Sequence, residues 1–430
     1  MILGKLDRKL KLFTQTFSTN AYGEREVSDN SSVTIYGDFD FRGGKTSFDA
    51  DSLINEERIE CLIRYRTNIG VSPQYFISNG STNYSIKSIK EVGRKDAMIL
   101  TLEKNDVVDL SQTAPNQFVF TIDTENTSIG SSTNTQFDLP LIATGSYNAT
   151  VFWGDGSSDT ITTYNQDEVT HTYSSAGNYE ISIEGTLQGW KFDNAGDKLK
   201  IIEVKRWGIL DLSTSAAFHG CTNLDCSATD APTVSSTTLY RTFKDCSNFN
   251  GPIGNWNISS VTNLSETFNN AVSFNSSINN WDVSNVTTFS GLFLGCASFD
   301  QDLNSWDTSN VETMLNTFRG CSQFNGEINS WTTSNVENMQ QMLFNCDQFD
   351  QSLASWDISN VTNFTNFMQN ANGLSTANYD ATLIAWASGI VEPNININFG
   401  DSTYSPGAAA AARQHLIDSD GWTITDGGED

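Results

Sequence analysis

A 25-residue period governs the second half of this 430-residue chain. Trp256, Trp281, Trp306, Trp331 and Trp356 recur at that spacing, and Val261, Val286, Val311, Val336 and Val361 recur with them. The same register holds Phe249, Phe274, Phe299, Phe324 and Phe349, then Phe243, Phe268, Phe293 and Phe318, continued by Leu343 and Met368. A unit this short cannot bury four or five apolar side chains alone, whereas stacked units bury a continuous core between neighbours, so the region must be a solenoid. Each unit offers a turn rich in Asp, Ser and Asn, an extended stretch around the valine, and a stretch such as residues 313–318 that fits one or two helical turns. The pattern therefore predicts one strand and one short helix per coil, with parallel strands stacked about 4.8 Å apart.

Cys246, Cys296, Cys321 and Cys346 share one column, which Cys221 opens and which alanine occupies at Ala271 and Ala371. A linear ladder is not the compact tetrahedral cluster that a structural metal needs, so these read as buried thiols. The tryptophan column has two readings: core packing, or a ridge of exposed rings that stack on sugars, which would make Trp256, Trp281, Trp306, Trp331 and Trp356 candidate glycan contacts. The unit Trp306-Asp307-Thr308-Ser309-Asn310-Val311, followed by Phe318-Arg319-Gly320-Cys321 and Phe324-Asn325, resembles the BspA-like leucine-rich surface repeats. Tyr379, residues 383–387, Tyr404 and Gly421-Trp422-Thr423-Ile424 are similar to that family's C-terminal cap. The resemblance implies an α/β, leucine-rich-repeat-like solenoid associated with adhesion, without naming a ligand.

Residues 113–190 alternate as short strands between Gly, Asn and Ser turns, the pattern of a small β-sandwich. Residues 147–153 lead into Gly154-Asp155-Gly156-Ser157, and residues 169–173 lead through Ala176-Gly177-Asn178-Tyr179 to Ile181 and Ile183. These segments resemble the motifs of a PKD-type, immunoglobulin-like domain, which implies a spacer or a modest carbohydrate-binding module. Asp155 and Asp159 do not form a calcium loop by spacing, because the alternating oxygen ligands and closing glutamate are missing. Asp155 and Gly156 read as hairpin-turn residues, and His171 as a structural histidine.

Residues 1–108 alternate as an all-β unit: Leu6, Leu10 and Leu12, then Val33 and Ile35, then Ile59, Cys61 and Ile63, then residues 75–77, 84–89 and 98–102. Asn79-Gly80 marks a hairpin, and the strand count suits a small closed or nearly closed barrel. Gly4-Lys5-Leu6, Tyr22-Gly23-Glu24, Ile63-Arg64-Tyr65-Arg66, Ile69 and Tyr84-Ser85-Ile86 together resemble the phage head-tail joining, or head-closure, family. That resemblance implies a ring beneath the portal, of about twelve copies, contacting the portal or adaptor ring, a tail or tail-completion protein and itself. Arg42, Lys45, Arg64 and Arg66 are the candidate ring or portal contacts. The Gly- and Asp-rich residues between Phe39 and Ser52 read as a loop. Gly43-Gly44-Lys45-Thr46 imitates a phosphate-binding loop, but Phe39 stands where its first glycine belongs.

Charge separates the chain. Residues 1–110 hold 15 Lys+Arg against 16 Asp+Glu, and residues 111–430 hold 9 against 35. So acidic a surface repels phosphate and anionic lipid, which argues against nucleic-acid recognition or membrane binding by the larger part. No stretch reaches the roughly 18 to 20 apolar residues of a membrane helix, and no apolar segment follows Met1-Ile2-Leu3-Gly4-Lys5, so folding in a cytoplasm is expected. Seven cysteines in that setting argue against a disulfide framework. The three histidines, His171, His219 and His415, accompany no nucleophile motif, and neither an enzyme nor a cofactor is expected.

The expected division is a head-tail joining-like β-barrel at 1–110, a PKD-like sandwich at 111–190, the repeat solenoid at 191–373 and its cap at 374–430. The expected function is a virion neck component between capsid and tail, with outer domains that decorate the neck and bind host-surface or mucin glycans. A bacterial surface adhesin is the alternative.

Overall fold

The computed structural model describes residues 116–430 throughout and, before them, the backbone of eight strands. The chain divides into two units, Met1–Pro115 and Asn116–Asp430.

In the first unit the strands are β1 (Arg8–Thr19), β2 (Arg25–Phe41), β3 (Lys45–Asp49), β4 (Ser52–Glu56), β5 (Arg58–Arg64), β6 (Tyr75–Asn79), β7 (Thr82–Val92) and β8 (Ala97–Lys104). Six of them hydrogen-bond in the order β1-β2-β5-β8-β7-β6, and β6 pairs back onto β1 from Lys11↔Ser78 to Thr14↔Tyr75, so the pairing closes on itself. The hairpin expected at Asn79-Gly80 joins β6 to β7 at Asn79↔Thr82. The segment read as a loop between Phe39 and Ser52 is instead mostly strand: β2 runs to Phe41, and β3 and β4 form a separate hairpin.

The second unit opens with a mainly antiparallel sheet. Its strands are β9 (Gln117–Asp123), β10 (Gln136–Asp138), β11 (Leu141–Phe152), β12 (Ser158–Ile161), β13 (Thr170–Thr172), β14 (Asn178–Trp190), β15 (Ile201–Arg206), β16 (Leu210–Asp211) and β17 (Asp225–Cys226). The large sheet has the order β12-β11-β14-β9-β15-β17, with β16 on β14; β10 and β13 pair separately. Alternation places Phe118, Phe120 and Ile122 of β9 and Ile181 and Ile183 of β14 on the buried face. Phe137 of β10 packs on Phe120 at 5.9 Å between ring centres. The boundary expected at residue 190 falls inside this sheet, because β15 pairs with β9 and β17 pairs in parallel with β15. The sheet thus leads directly into the first coil, and Trp207 touches both Phe118 and Trp256 across the join.

The coils contain neither the strand nor the helix that the sequence suggests. Single parallel bridges link Thr238, Asn263, Thr288, Thr313, Asn338 and Asn363 from coil to coil. Beside them, alternate amides donate to the next coil: Leu264 to Thr288, Glu266 to Ser290, Phe268 to Leu292 and Asn270 to Leu294. The intervening amides turn back within the coil, Thr267 to Leu264 and Asn269 to Glu266. A helix would direct every amide to the residue four before it. Two left-handed residues per coil break that pattern. One column is Ala216, Arg241, Glu266, Gly291, Asn316, Gln341 and Asn366; the other is Gly220, Asp245, Asn270, Gly295, Gly320, Asn345 and Asn370.

Among residues 116–430 the α-helices lie in the C-terminal cap: α1 (Thr376–Ser388) and α2 (Ala408–Asp418), with β18 (Asn396–Asn398), β19 (Thr403–Tyr404), β20 (Thr423–Thr425) and β21 (Gly428–Glu429). Helix α1 buries Tyr379, Thr382, Leu383 and Trp386, one helical face, against the last coil. Arg413 and Tyr379 meet on the Asp426 carboxylate at 2.7 Å each, which fixes the chain end to both helices. The chain is therefore mainly β with few helices, and the α/β expectation for the coils is corrected.

Candidate interaction surface

The four N-terminal candidates divide. Arg42 and Arg66 lie outside the described residues. Lys45 opens β3 opposite Glu56, and Arg64 closes β5 opposite Ala97, so these two stand in different sheets.

The tryptophan column is core. Trp256, Trp281, Trp306, Trp331 and Trp356 are each only 2–3% exposed. Trp306, Trp331 and Trp356 stack on one another with ring centres 6.1 and 6.4 Å apart. The indole Nε1 groups of Trp281, Trp306, Trp331 and Trp356 donate to the carbonyls of Ile253, Ile278, Leu303 and Ile328 at 2.9–3.2 Å. Trp256 Nε1 is buried without a partner, but at 2–3% exposure none of the five rings has a face open to stack on a sugar, so the glycan-contact assignment of these five residues is overturned.

Cysteines of the ladder are equally enclosed. The thiols of Cys246, Cys296, Cys321 and Cys346 donate to the carbonyls of Phe218, Phe268, Phe293 and Phe318 at 2.9–3.0 Å. Burial pushes their pKa values well above the usual thiol range and leaves them in the unreactive protonated form. Among the described residues, no group of three or more His, Cys, Asp or Glu side chains is arranged to hold a metal ion.

The hairpin carboxylates of the sheet are also committed. Asp155 accepts from the Ser157 amide at 2.9 Å and lies 2.9 Å from His171 Nε2, while Trp153 Nε1 donates to Asp159 at 2.8 Å. The Trp153 ring stacks on His171 at 4.6 Å. Burial alone would raise the Asp155 pKa, but the hydrogen bonds from Ser157 and His171 outweigh it and bring it to about 2.

What remains for contact is the polar outer surface of the coils. One part is structural: Asp225, Asn250, Asn275, Asp300, Asn325 and Asp350 each accept, through Oδ1, the amide of a residue in the following coil at 2.7–3.2 Å. Another part departs from the period. Residues 245–412 carry 15 carboxylates and a single basic side chain, Arg319. Arg241 and Lys244 are paired to Glu266. Arg319 instead lies over the Phe344 ring, 5.0 Å from its centre, and donates to Gln341 Oε1 at 3.2 Å. Within the repeat sequence, Arg319 is set apart from the structural residues by its isolation in the charge pattern.

A family model described as "Mycoplasma protein of unknown function, DUF285" matches residues 212–315 and 276–380, which are the coils. A solved structure titled "Virion of native gene transfer agent (GTA) particle" is 14% identical, with 25% of this chain and 99% of that chain covered and a TM-score of 0.21. No curated protein matches the chain. The repeat region is thus similar to the DUF285 repeats, over less than half of the chain. No helix among the described residues is long and apolar enough to cross a membrane.

Proposed function

We propose that this chain is a structural component of a tailed-phage particle, in which residues 1–110 assemble at the joint between head and tail and residues 116–430 are a projecting arm that binds the cell surface or its mucus. The observation that carries the reading is the ordered head-tail joining motif set, from Gly4-Lys5-Leu6 to Tyr84-Ser85-Ile86, in a unit whose six main strands pair in a closed circuit. A ring of arms makes weak single-site contacts useful, because each bound arm raises the effective concentration of the others at the surface.

The arm supports this role by its construction. Successive coils repeat the same backbone bonds and the same buried columns, which gives a stiff support whose outer residues are free to vary. A second reading, a cell-surface adhesin, draws on the DUF285 match, since that likeness lies wholly in the coils.

Sedimentation of the full chain, alone and with portal and tail-completion proteins of the same particle, separates the two. The neck reading expects a closed ring, or co-sedimentation with one of those proteins. A chain that stays monomeric in both mixtures, while coating uninfected cells that express it, supports the adhesin.

A further inference from the structure

We propose that the turn leaving β14 onto the first coil is an acid-released latch, held shut by neutral His219. The latch is independent of the particle assignment and of any ligand of the coils.

Its backbone is poised to open. Just after β14, Asp193 and Asn194 are consecutive non-glycine residues at φ +49° and +63°, a left-handed pair that needs support from its surroundings. Three amides supply it: Phe192 donates to the Ala217 carbonyl at 3.1 Å, Asp193 to Ala216 at 3.2 Å and Asn194 to His219 itself at 2.8 Å. The closed turn covers aromatic packing, with Phe192 buried 5.7 Å from Trp190 and 6.5 Å from Phe218 between ring centres.

His219 lies between the two sides of this join and is only 7% exposed. Its Nε2 is 3.3 Å from Asp245 Oδ2 of the next coil, and a bond to that carboxylate requires the hydrogen on Nε2. Its Nδ1 faces Asp193 of the turn at 3.7 Å, is buried and has no hydrogen-bond partner. The neutral ring is therefore satisfied at its one donor. A second proton would place an N–H and a full charge at Nδ1 with no acceptor in reach.

The surrounding charges do not offset that penalty. Asp193 is already paired with Lys191 at 3.2 Å, and Lys198 donates to the Asn194 carbonyl at 2.8 Å. On the other side Lys244 adjoins Asp245, and Arg241 and Lys244 share Glu266 of the following coil. Four cations, Lys191, Lys198, Arg241 and Lys244, thus stand against three carboxylates, Asp193, Asp245 and Glu266. Burial accordingly pulls the His219 pKa below its ordinary 6.5, against the opposing pull of Asp245. Opening the turn hydrates the ring and restores its ordinary proton affinity. The closed turn binds the proton less tightly than the open one, so closure is at full strength above pH 6.5 and weakens as the pH falls below it.

Two measurements on the full chain test the latch. Proton NMR follows the imidazole resonances between about pH 8 and 4.5, with the three histidines assigned by His171→Gln, His219→Gln and His415→Gln. Hydrogen exchange read by mass spectrometry follows the protection factors of residues 192–194 at about pH 7.5 and 5. His219 is expected to titrate below 6.5. Protection of residues 192–194 should fall at least about threefold at the lower pH, and His219→Gln should abolish the fall. His415→Gln, at an exposed side chain, should keep it. A His219 midpoint at or above 6.5 overturns the latch even if His219→Gln does not fold. Equal protection at both pH values in the unaltered chain, or a fall that survives His219→Gln, overturns it as well.

Discussion

Between β9 and β15 a lysine and an aspartate are buried together, Lys200 and Asp197 at 0% and 1% exposure, whereas from Leu239 to Leu374 no charged side chain is buried at all. The sheet region has to anchor a long excursion between β9 and β10. It does so with one concentrated polar site: Lys200 Nζ reaches Asp197 at 3.2 Å, Ser132 Oγ at 2.7 Å and the carbonyls of Thr133 and Gln136 at 2.8 Å. Asp197 in turn accepts the amides of Ser132 and Asp138 at 2.7 Å. Burial pulls the Lys200 pKa down and Asp197 opposes it, so the pair is stable only as a pair. The coils distribute the same task over contacts repeated from coil to coil at the surface and in the core. One region therefore depends on a unique site, and the other on many equivalent ones.

The largest expected effect lies in the first region. Lys200→Met leaves Asp197 buried without its cation and should cost about 3–5 kcal/mol in urea unfolding. A loss under about 1 kcal/mol would remove the contrast.

In the coils, Trp331→Phe deletes the bond to the Leu303 carbonyl and part of a buried ring, for about 1–3 kcal/mol. Trp306→Phe should cost the same within about 0.5 kcal/mol, because the two sites are equivalent by the repeat. Clearly unequal losses in thermal or urea unfolding would mean that the coils are not interchangeable supports.

Gly320 has φ +79°, and an added Cβ would meet its nearest atom at 3.6 Å, so space is available and only conformation opposes a side chain. Gly320→Ala should cost about 1 kcal/mol. A stabilising outcome in the same assay would contradict the left-handed column.

The smallest effect concerns acid. The Asp155 pKa falls from 3.8 to about 2 on folding, so its contribution is present above pH 3.8 and is lost as the pH drops towards 2. Asp155→Asn should flatten the stability profile across that window and leave its shape near neutrality unaltered. An unchanged acid limb would show that the Ser157 and His171 contacts do not persist in solution.

How far these features were legible differs by region. The columns of Trp, Val and Phe announced the solenoid because the burial demanded of one coil is demanded of all. Residues 313–318 read as helix because Met314, Leu315 and Phe318 have helical spacing, and nothing in Glu266 or Gln341 announces a left-handed backbone. The second left-handed column did carry a signal: Gly, Asp, Asn, Gly, Gly, Asn and Asn at 220 to 370 are the residues that tolerate positive φ. Lys200 was hidden, since a buried lysine looks like a surface one until its carbonyl partners fold around it. The boundary at 190 was misplaced because β15 carries no turn or composition change to mark it as part of the preceding sheet. Period alone could not decide whether the tryptophans faced inward; their carbonyl partners 28 residues earlier did.

Cryo-electron microscopy of particles assembled with and without this chain tests the central claim most directly. The account predicts a ring at the head-tail joint, with residues 1–110 in the ring and density for residues 116–430 extending from it, lost when the chain is omitted. Particles with identical joints in both preparations would contradict it.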